Sequence, residues 1–369
     1  MLPTEQSALL VLLNIIMIGC NYLVLKDSLK NPYHTTIGKY RLGVFLCSLF
    51  CLFSFWGTDW FHYLETYDII RAGYETNLEN VYVWIIQNIS PYYLIFRLIV
   101  WGSALCLLVK TVNNLSVSKE IVLLLFGVIY IIWFAYARAT LAMVLAFYGY
   151  SLIVKNRHNF QSVVLGTSIL LSSYFFHKTA AFAIGVAALA LFLKRYPRYA
   201  IWILLITFPV GVVCAKIGVT DFMMSDTGGD GDMASYMAAG QRYMEKDLSS
   251  HGIGALLQSM LERIPYYLTA CLGFGIIRQN KILIPNDVKA FIVLQILLVL
   301  ISSIFAFNLG VNTSTIYVRF LRFAAMPTTI VMAYLYQSGY RHKYVKRTIQ
   351  IAVCGTLYAL LYSFYNAAL

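Results

Sequence analysis

Apolar runs of about 20 residues, the length of a bilayer-spanning helix, recur along the whole chain. They lie at roughly 6–25, 37–56, 91–109, 120–136, 138–154, 160–176, 179–193, 199–217, 252–277, 286–306, 320–337 and 348–365. No other feature limits the fold so strongly. With 60% hydrophobic and only 12% charged residues over 369 positions, the chain has too much apolar surface to bury in water, since a soluble chain carries about 25% charged residues. The runs predict an all-α, polytopic integral membrane protein of about 12 transmembrane helices. One transmembrane domain then covers 1–369, with outer segments at 57–90 and 218–251. The first run lacks a basic flank and a small-residue cleavage site, so it reads as a span rather than a removable leader. Residues 78–90 are apolar but too short to cross, and with Pro91 they predict an interfacial or re-entrant helix ahead of the third span.

Basic residues orient these spans. The alternate loops 26–41, 110–119, 155–158, 194–198, 278–289 and 341–347 hold 18 Lys or Arg against three acids, Asp27, Glu120 and Asp287. Such an excess marks the cytoplasmic side, which leaves both termini and the two large polar segments outside. The formal charge of +12 is therefore mainly a topology signal and implies no nucleic-acid partner. Membrane lipids are the surroundings.

All seven cysteines fall within apolar runs and no CxxC occurs, so they read as small, buried apolar residues and not as a disulfide framework. The outer stretch from Gly57 to Asn80 carries five of the sixteen acids, among them Asp59 and Glu79. In the second outer segment, Asp226, Asp230 and Asp232 resemble a calcium loop in spacing but lack its downstream Glu. A flexible lid is the expectation there. No metal and no cofactor is expected.

Several cations break the topology rule. Arg138 opens the fifth span, His177-Lys178 the seventh, and Arg319 and Arg322 the eleventh. Arg97 lies six residues into the third span, about 9 Å deep at 1.5 Å per residue. Arg319 and Arg322, three apart, share a helix face. Each alone could snorkel to lipid phosphate or pair with a carboxylate. Together at one depth, from separate helices, they predict a cationic pocket at the outer leaflet, where guanidinium forks suit phosphate oxygens. Arg263, beside Glu262, reads equally as a structural ion pair or a ligand contact. Of the groups able to accept a proton there, His177 has the more suitable ordinary pKa, and Asp59 is the alternative if burial raises it.

At these residues the chain resembles the EpsG/Wzy-type bacterial polysaccharide polymerases. The resemblance rests on Gly57-Thr58-Asp59 with Tyr63, on Glu79 with Tyr82, and on Arg138-Ala139. It continues through Phe176-His177 followed by small residues to Arg319-Phe320 with Arg322-Phe323. The chain departs from the family pattern at Asn80-Val81, where Pro-Gly is usual, and at Thr179, where Ser is usual. The resemblance implies a fold similar to the metal-independent membrane glycosyltransferases. It implies joining of oligosaccharide repeat units carried on undecaprenyl pyrophosphate, as donor and acceptor, at the outer face of the bacterial inner membrane. The product would be O-antigen, capsule or exopolysaccharide, and a chain-length regulator is a conceivable further partner. In that setting Arg97, Arg138, Lys178, Arg319 and Arg322 would hold pyrophosphate. Tyr63, Glu79, Tyr82 and Arg263 would contact sugar or lipid, and His177 or Asp59 would be the base.

Two rival classes stay open. A flippase or exporter of lipid-linked oligosaccharides should line a polar path through both leaflets, whereas the inner halves of these runs are nearly free of charge. A membrane O-acyltransferase for surface glycans should place a prominent His or Arg on the inner side, where His158 and His342 occupy ordinary loops.

Overall fold

The computed structural model describes residues 4–30, 58–76, 78–130, 137–156, 158–194, 252–279, 283–304 and 319–368, with isolated positions 38, 41, 42, 45, 202, 206, 209 and 317. The outer segment 218–251, the loop 194–198 beyond Lys194, and nearly all of the runs at 37–56 and 199–217 lie outside the described residues. Those described form helices α1 (Thr4–Ser28), α2 (Thr58–Arg71), α3 (Asn80–Asn88), α4 (Tyr93–Asn113) and α5 (Lys119–Leu125). After these come α6 (Ala137–Lys155), α7 (Phe160–Phe176), α8 (Ala180–Leu193), α9 (Gly252–Gln279), α10 (Asn286–Ile304), α11 (Ala325–Gln337) and α12 (His342–Ala368). No strand occurs among them. Two described helices, α4 and α10, are long and apolar enough to cross a membrane, and α7 and α8 are apolar but shorter.

The polar residues that bound the apolar runs also cap the helices. Asn159 precedes α7 and its Oδ1 accepts from the backbone N–H of Gln161 at 3.1 Å. Ser118 caps α5 in the same way through Ile121. Three boundaries differ from expectation. α5 passes directly into a π-helical turn, Phe126–Tyr130, within the run expected at 120–136. The run at 320–337 is broken by a turn at Phe323–Ala324. Pro327 explains that break, because it has no N–H for the carbonyl of Phe323 and so tolerates only the first turn of a new helix. The loop expected at 341–347 is helical from His342, so Lys343, Lys346 and Arg347 lie in the first turns of α12. Gly339 at φ 69° makes the reversal just upstream.

Burial also corrects two expectations. Glu120, assigned to a watery inner loop, is 2% exposed, and its carboxylate accepts a hydrogen bond from Ser28 of α1. Cys20, Cys106, Cys271 and Cys354, expected to be buried, are exposed on their helices. In an apolar solvent an outward thiol has no penalty to avoid. The same logic accounts for α7, which exposes Phe160, Val164, Leu171 and Phe175 along one face. Lipid solvates such a stripe; water would not.

α6 packs between α4 and α7. Gly149 and Gly166 let α6 and α7 meet backbone to backbone: a Cβ on Gly149 would stand 2.5 Å from the Gly166 carbonyl oxygen. Only hydrogen fits there. A second group gathers α9 against α10, α11 and α12. Pro265 lies inside α9 and deprives the Leu261 carbonyl of its helical donor. Gly355 of α12 comes close to that carbonyl, since a Cβ there would be 3.0 Å from it. The two groups join where α10 meets α6 and α8, and Tyr150 Oη of α6 donates to the Ala290 carbonyl of α10 at 3.1 Å.

Candidate active site

The outer polar segment opens with two short helices. Tyr67 Oη on α2 donates to the Ser90 carbonyl at 2.6 Å, and Arg71 Nη1 donates to the Gln87 carbonyl at 3.3 Å. The latter sets a cation at the carboxyl end of α3, where the helix dipole favours it. α2 and α3 are thereby locked together, and the chain between them is held at Glu79. This residue sits at the N-cap of α3, yet its side chain caps nothing. The carboxylate turns instead toward α6 and the α7–α8 junction. Oε2 accepts from Arg138 Nη1 at 3.0 Å, and Oε1 lies 3.1 Å from His177 Nδ1.

Arg138 also donates from Nε to Tyr63 Oη at 3.0 Å, with its guanidinium carbon 5.6 Å from the Tyr63 ring centre. Two segments of chain thus converge on one carboxylate, and α2 holds the arginine through Tyr63. The Glu79 side chain is 12% exposed, against 28% for Arg138 and 19% for His177. Burial pushes the Glu79 carboxyl up, but the hydrogen bond with His177 and the Arg138 charge outweigh it and hold the group below its ordinary value. Tyr82, one turn along α3, is wholly buried. Its ring meets Phe96 edge-on at 6.2 Å and Phe176 at 6.1 Å, fastening α3 to α4 and α7. Burial and the Glu79 charge push its phenol well up, so it stays a neutral hydroxyl.

His177 ends α7 in extended conformation at φ −165°, which swings its ring off the helix axis. An ionised carboxylate offers only lone pairs, so Nδ1 carries the proton in the contact with Glu79. Nε2 of the neutral ring is then left with a lone pair. This is the arrangement a general base needs. Lys178 follows, half-buried, at the entry to α8.

A second cluster forms where α9, α10 and the segment 319–322 meet. The Arg263 guanidinium carbon lies 4.8 Å from the Tyr317 ring centre. The hydroxyls of Tyr317 and Tyr267 are 2.7 Å apart, and Tyr267 Oη is 2.7 Å from Ser303 Oγ. Ser303 is near the C-terminal end of α10, so Tyr267 faces that end of the helix and Arg263 lies one turn before Tyr267 on α9. Arg319 and Arg322 are half-buried, and the Arg322 charge is felt at Tyr266. Between Arg319 and Arg322, Phe320 stacks on Phe182 of α8 at 4.2 Å and 13°. That stack ties the second cluster to the helix that His177 and Lys178 introduce.

Two expected site residues remain, Arg97 and Asp59. Arg97 is 2% exposed, with its guanidinium 5.0 Å from the Trp101 ring centre; buried within the bundle, it is in no position to snorkel to lipid. Asp59 falls in the first turn of α2, and its side chain lies outside the described residues. Tyr267 and Ser303 escaped sequence reasoning, because a Tyr near a helix end reads as interfacial belt and a lone Ser as filler. Among the described residues no group of His, Cys, Asp and Glu is arranged to hold a metal ion, and the Asp226–Asp232 stretch lies outside them.

No curated protein and no solved structure matches this chain. The sequence profile of one family does, over residues 40–368, nearly the entire length. That span takes in both clusters, α2 with α3, and every helix from α4 to α12. By that match over nearly its whole length, this chain is a polysaccharide polymerase-type membrane protein, a member of the EpsG family.

Proposed function

We propose that this protein joins lipid-linked oligosaccharide repeat units into a surface polysaccharide, as a metal-independent glycosyltransferase. The donor and acceptor are oligosaccharides on undecaprenyl pyrophosphate, and the product is an O-antigen, capsule or exopolysaccharide chain. The setting is the bacterial inner membrane, crossed about twelve times, with the site facing outward. Membrane membership of the family and its glycosyltransferase-like polymerase activity support the class of reaction. One observation carries the reading further: the Phe182–Phe320 stack sets the segment that bears Arg319 and Arg322 against α8, the helix that His177 and Lys178 lead into.

The chemistry follows from that arrangement. The acceptor sugar hydroxyl gives its proton to His177 Nε2 as its oxygen attacks the donor anomeric carbon. The bond from that carbon to the pyrophosphate oxygen breaks, and negative charge grows on the leaving group. Arg263, Arg319, Arg322 and Lys178 stabilise that charge by direct hydrogen bonds, a task preorganised cations perform without a metal. Arg97 supports the pocket from within, and Tyr63 and Tyr82 frame its sugar side. Asp59, early in α2, is the alternative base. The pyrophosphate-linked product keeps its polyprenyl tail in the apolar surroundings of α7 and α8.

The test uses the full-length protein in lipid nanodiscs with an undecaprenyl-pyrophosphate oligosaccharide. A ladder of longer chains that persists in EDTA is expected. Transfer of the lipid between leaflets without any ladder would replace this reading with that of a flippase.

A further inference from the structure

Glu79 divides its carboxylate between two nitrogen donors of different kinds, Arg138 at 3.0 Å and His177 at 3.1 Å. A guanidinium stays charged at any pH a protein survives, whereas an imidazole does not. Glu79 and Arg138 therefore already balance, and the cluster of three is electrically neutral only while His177 is neutral. A carboxylate facing His177 alone would favour the imidazolium, a ring with no lone pair to receive a proton. The geometry of three residues thus does what neither pair would do alone: it fixes the ring through Nδ1 and keeps Nε2 available.

We infer that Glu79 is a positioning residue for His177, and that Arg138 is the counter-charge that keeps the positioned ring able to act as a base. The inference rests on the proposed reading of His177 as base. It takes Arg138 out of the group that grips pyrophosphate, because Nε is committed to Tyr63 and Nη1 to Glu79. The remaining groups facing this cluster are Tyr63 from α2, Tyr82 from α3, and Tyr93 with Arg97 behind Tyr63 on α4. Lys178 adjoins His177 in the chain. Among these described side chains Glu79 is the one carboxylate, the Asp59 side chain lying outside the described residues, and Lys178 adds positive charge that acts on His177 in the same direction as Arg138.

Two measurements test it, and the first needs no turnover. In protein labelled with 15N-histidine, with the resonance assigned by its loss in His177→Gln, the neutral ring is expected as the Nδ1-protonated tautomer. An Nε2-protonated ring overturns the inference, whatever the enzyme makes. The second is the pH dependence of kcat/KM for ladder formation. In Arg138→Gln the acid limb should move up by about one pH unit, the size of shift a charge at hydrogen-bonding distance causes, with substrate KM little changed. In Glu79→Gln the limb should move down and the plateau fall roughly a hundredfold, within the range of general-base effects. A raised KM in Arg138→Gln with an unmoved limb would return Arg138 to the pyrophosphate and overturn the inference. So would Glu79→Gln activity that follows the parent profile. Absence of any ladder in the parent would instead defeat the polymerase reading and leave the tautomer result standing on its own.

Discussion

The two clusters of this bundle hold their arginines in different ways. Around Glu79, the guanidinium of Arg138 is matched by a carboxylate and a phenol at 3.0 Å each. In the second cluster Arg263 rests on the face of Tyr317, with Arg319 and Arg322 half-buried on the neighbouring segment. An aromatic face attracts a cation without neutralising it. That attraction is worth about 0.5–2 kcal/mol, less than the roughly 1.5–3 kcal/mol of a hydrogen bond to a charged group. A phosphate oxygen would therefore win Arg263 from its ring, whereas it would have to displace a carboxylate to win Arg138. On the proposed reading, one cluster serves orientation and proton transfer and the other holds an anion.

The largest effect should come from separating these roles. His177→Ala should lower chain extension by about 10²–10⁴-fold, the span of general-base contributions, while binding of the lipid pyrophosphate stays within a few-fold. His177→Gln keeping most of the activity would reduce the ring to a packing role. Arg322→Ala and Arg263→Ala should instead weaken both binding and turnover, because the pyrophosphate is touched in the ground state as well as in the transition state. Arg263→Lys should recover only part of the loss, since an ammonium keeps the charge but not the planar fork. Isothermal binding and single-turnover rates on the same preparations would tell the two patterns apart.

How much of this was legible in the sequence depends on the distance over which each feature is encoded. The run at 160–176 coincides with α7, because Asn159 caps one end and the bounding polar residue His177 lies at the other. α12 starts earlier than its apolar run because Lys343, Lys346 and Arg347 are good helix formers that hydropathy reads as loop. The burial of Glu120 was hidden as well, since its partner Ser28 is 92 residues away. The site behaves like Glu120. Each of its residues could be singled out by type and depth, but Glu79 meets Arg138 across 59 positions and His177 across 98. No spacing rule reaches that far. Sequence reasoning assigned several cations to one pocket; the described contacts give Arg138 and His177 a shared partner in Glu79 and set Arg263 on Tyr317.

The scaffold gives a finer test of their independence. Gly149 and Gly166 set the spacing of α6 and α7, the helices that carry Arg138 and His177. Gly149→Ala forces them apart and should destabilise the protein by about 1–3 kcal/mol, the usual cost of overpacking. Surviving protein should lose turnover more than pyrophosphate affinity, because α9, α10 and 319–322 do not share that contact. Equal loss of both would mean that the clusters move as one.

The smallest effect is a pH dependence of stability. Glu79 is held below its ordinary value in the folded protein, with burial opposing and His177 and Arg138 prevailing. A carboxyl of lowered pKa binds its proton more weakly folded than unfolded, so unfolding takes up protons as the medium is acidified. The stabilisation is complete above the ordinary glutamate pKa, about 4.3. It fades as pH falls through the lower value of the folded state. Thermal unfolding in nanodiscs between neutral pH and that window should show the parent losing stability on acidification, and Glu79→Gln losing less of it. Because Gln keeps the shape and one acceptor, the two proteins should differ most at neutral pH and converge at the acid end. Parallel curves would mean that the carboxylate gains nothing from its two cations, and the contrast between a neutralised cluster and a cationic one would lose its first half.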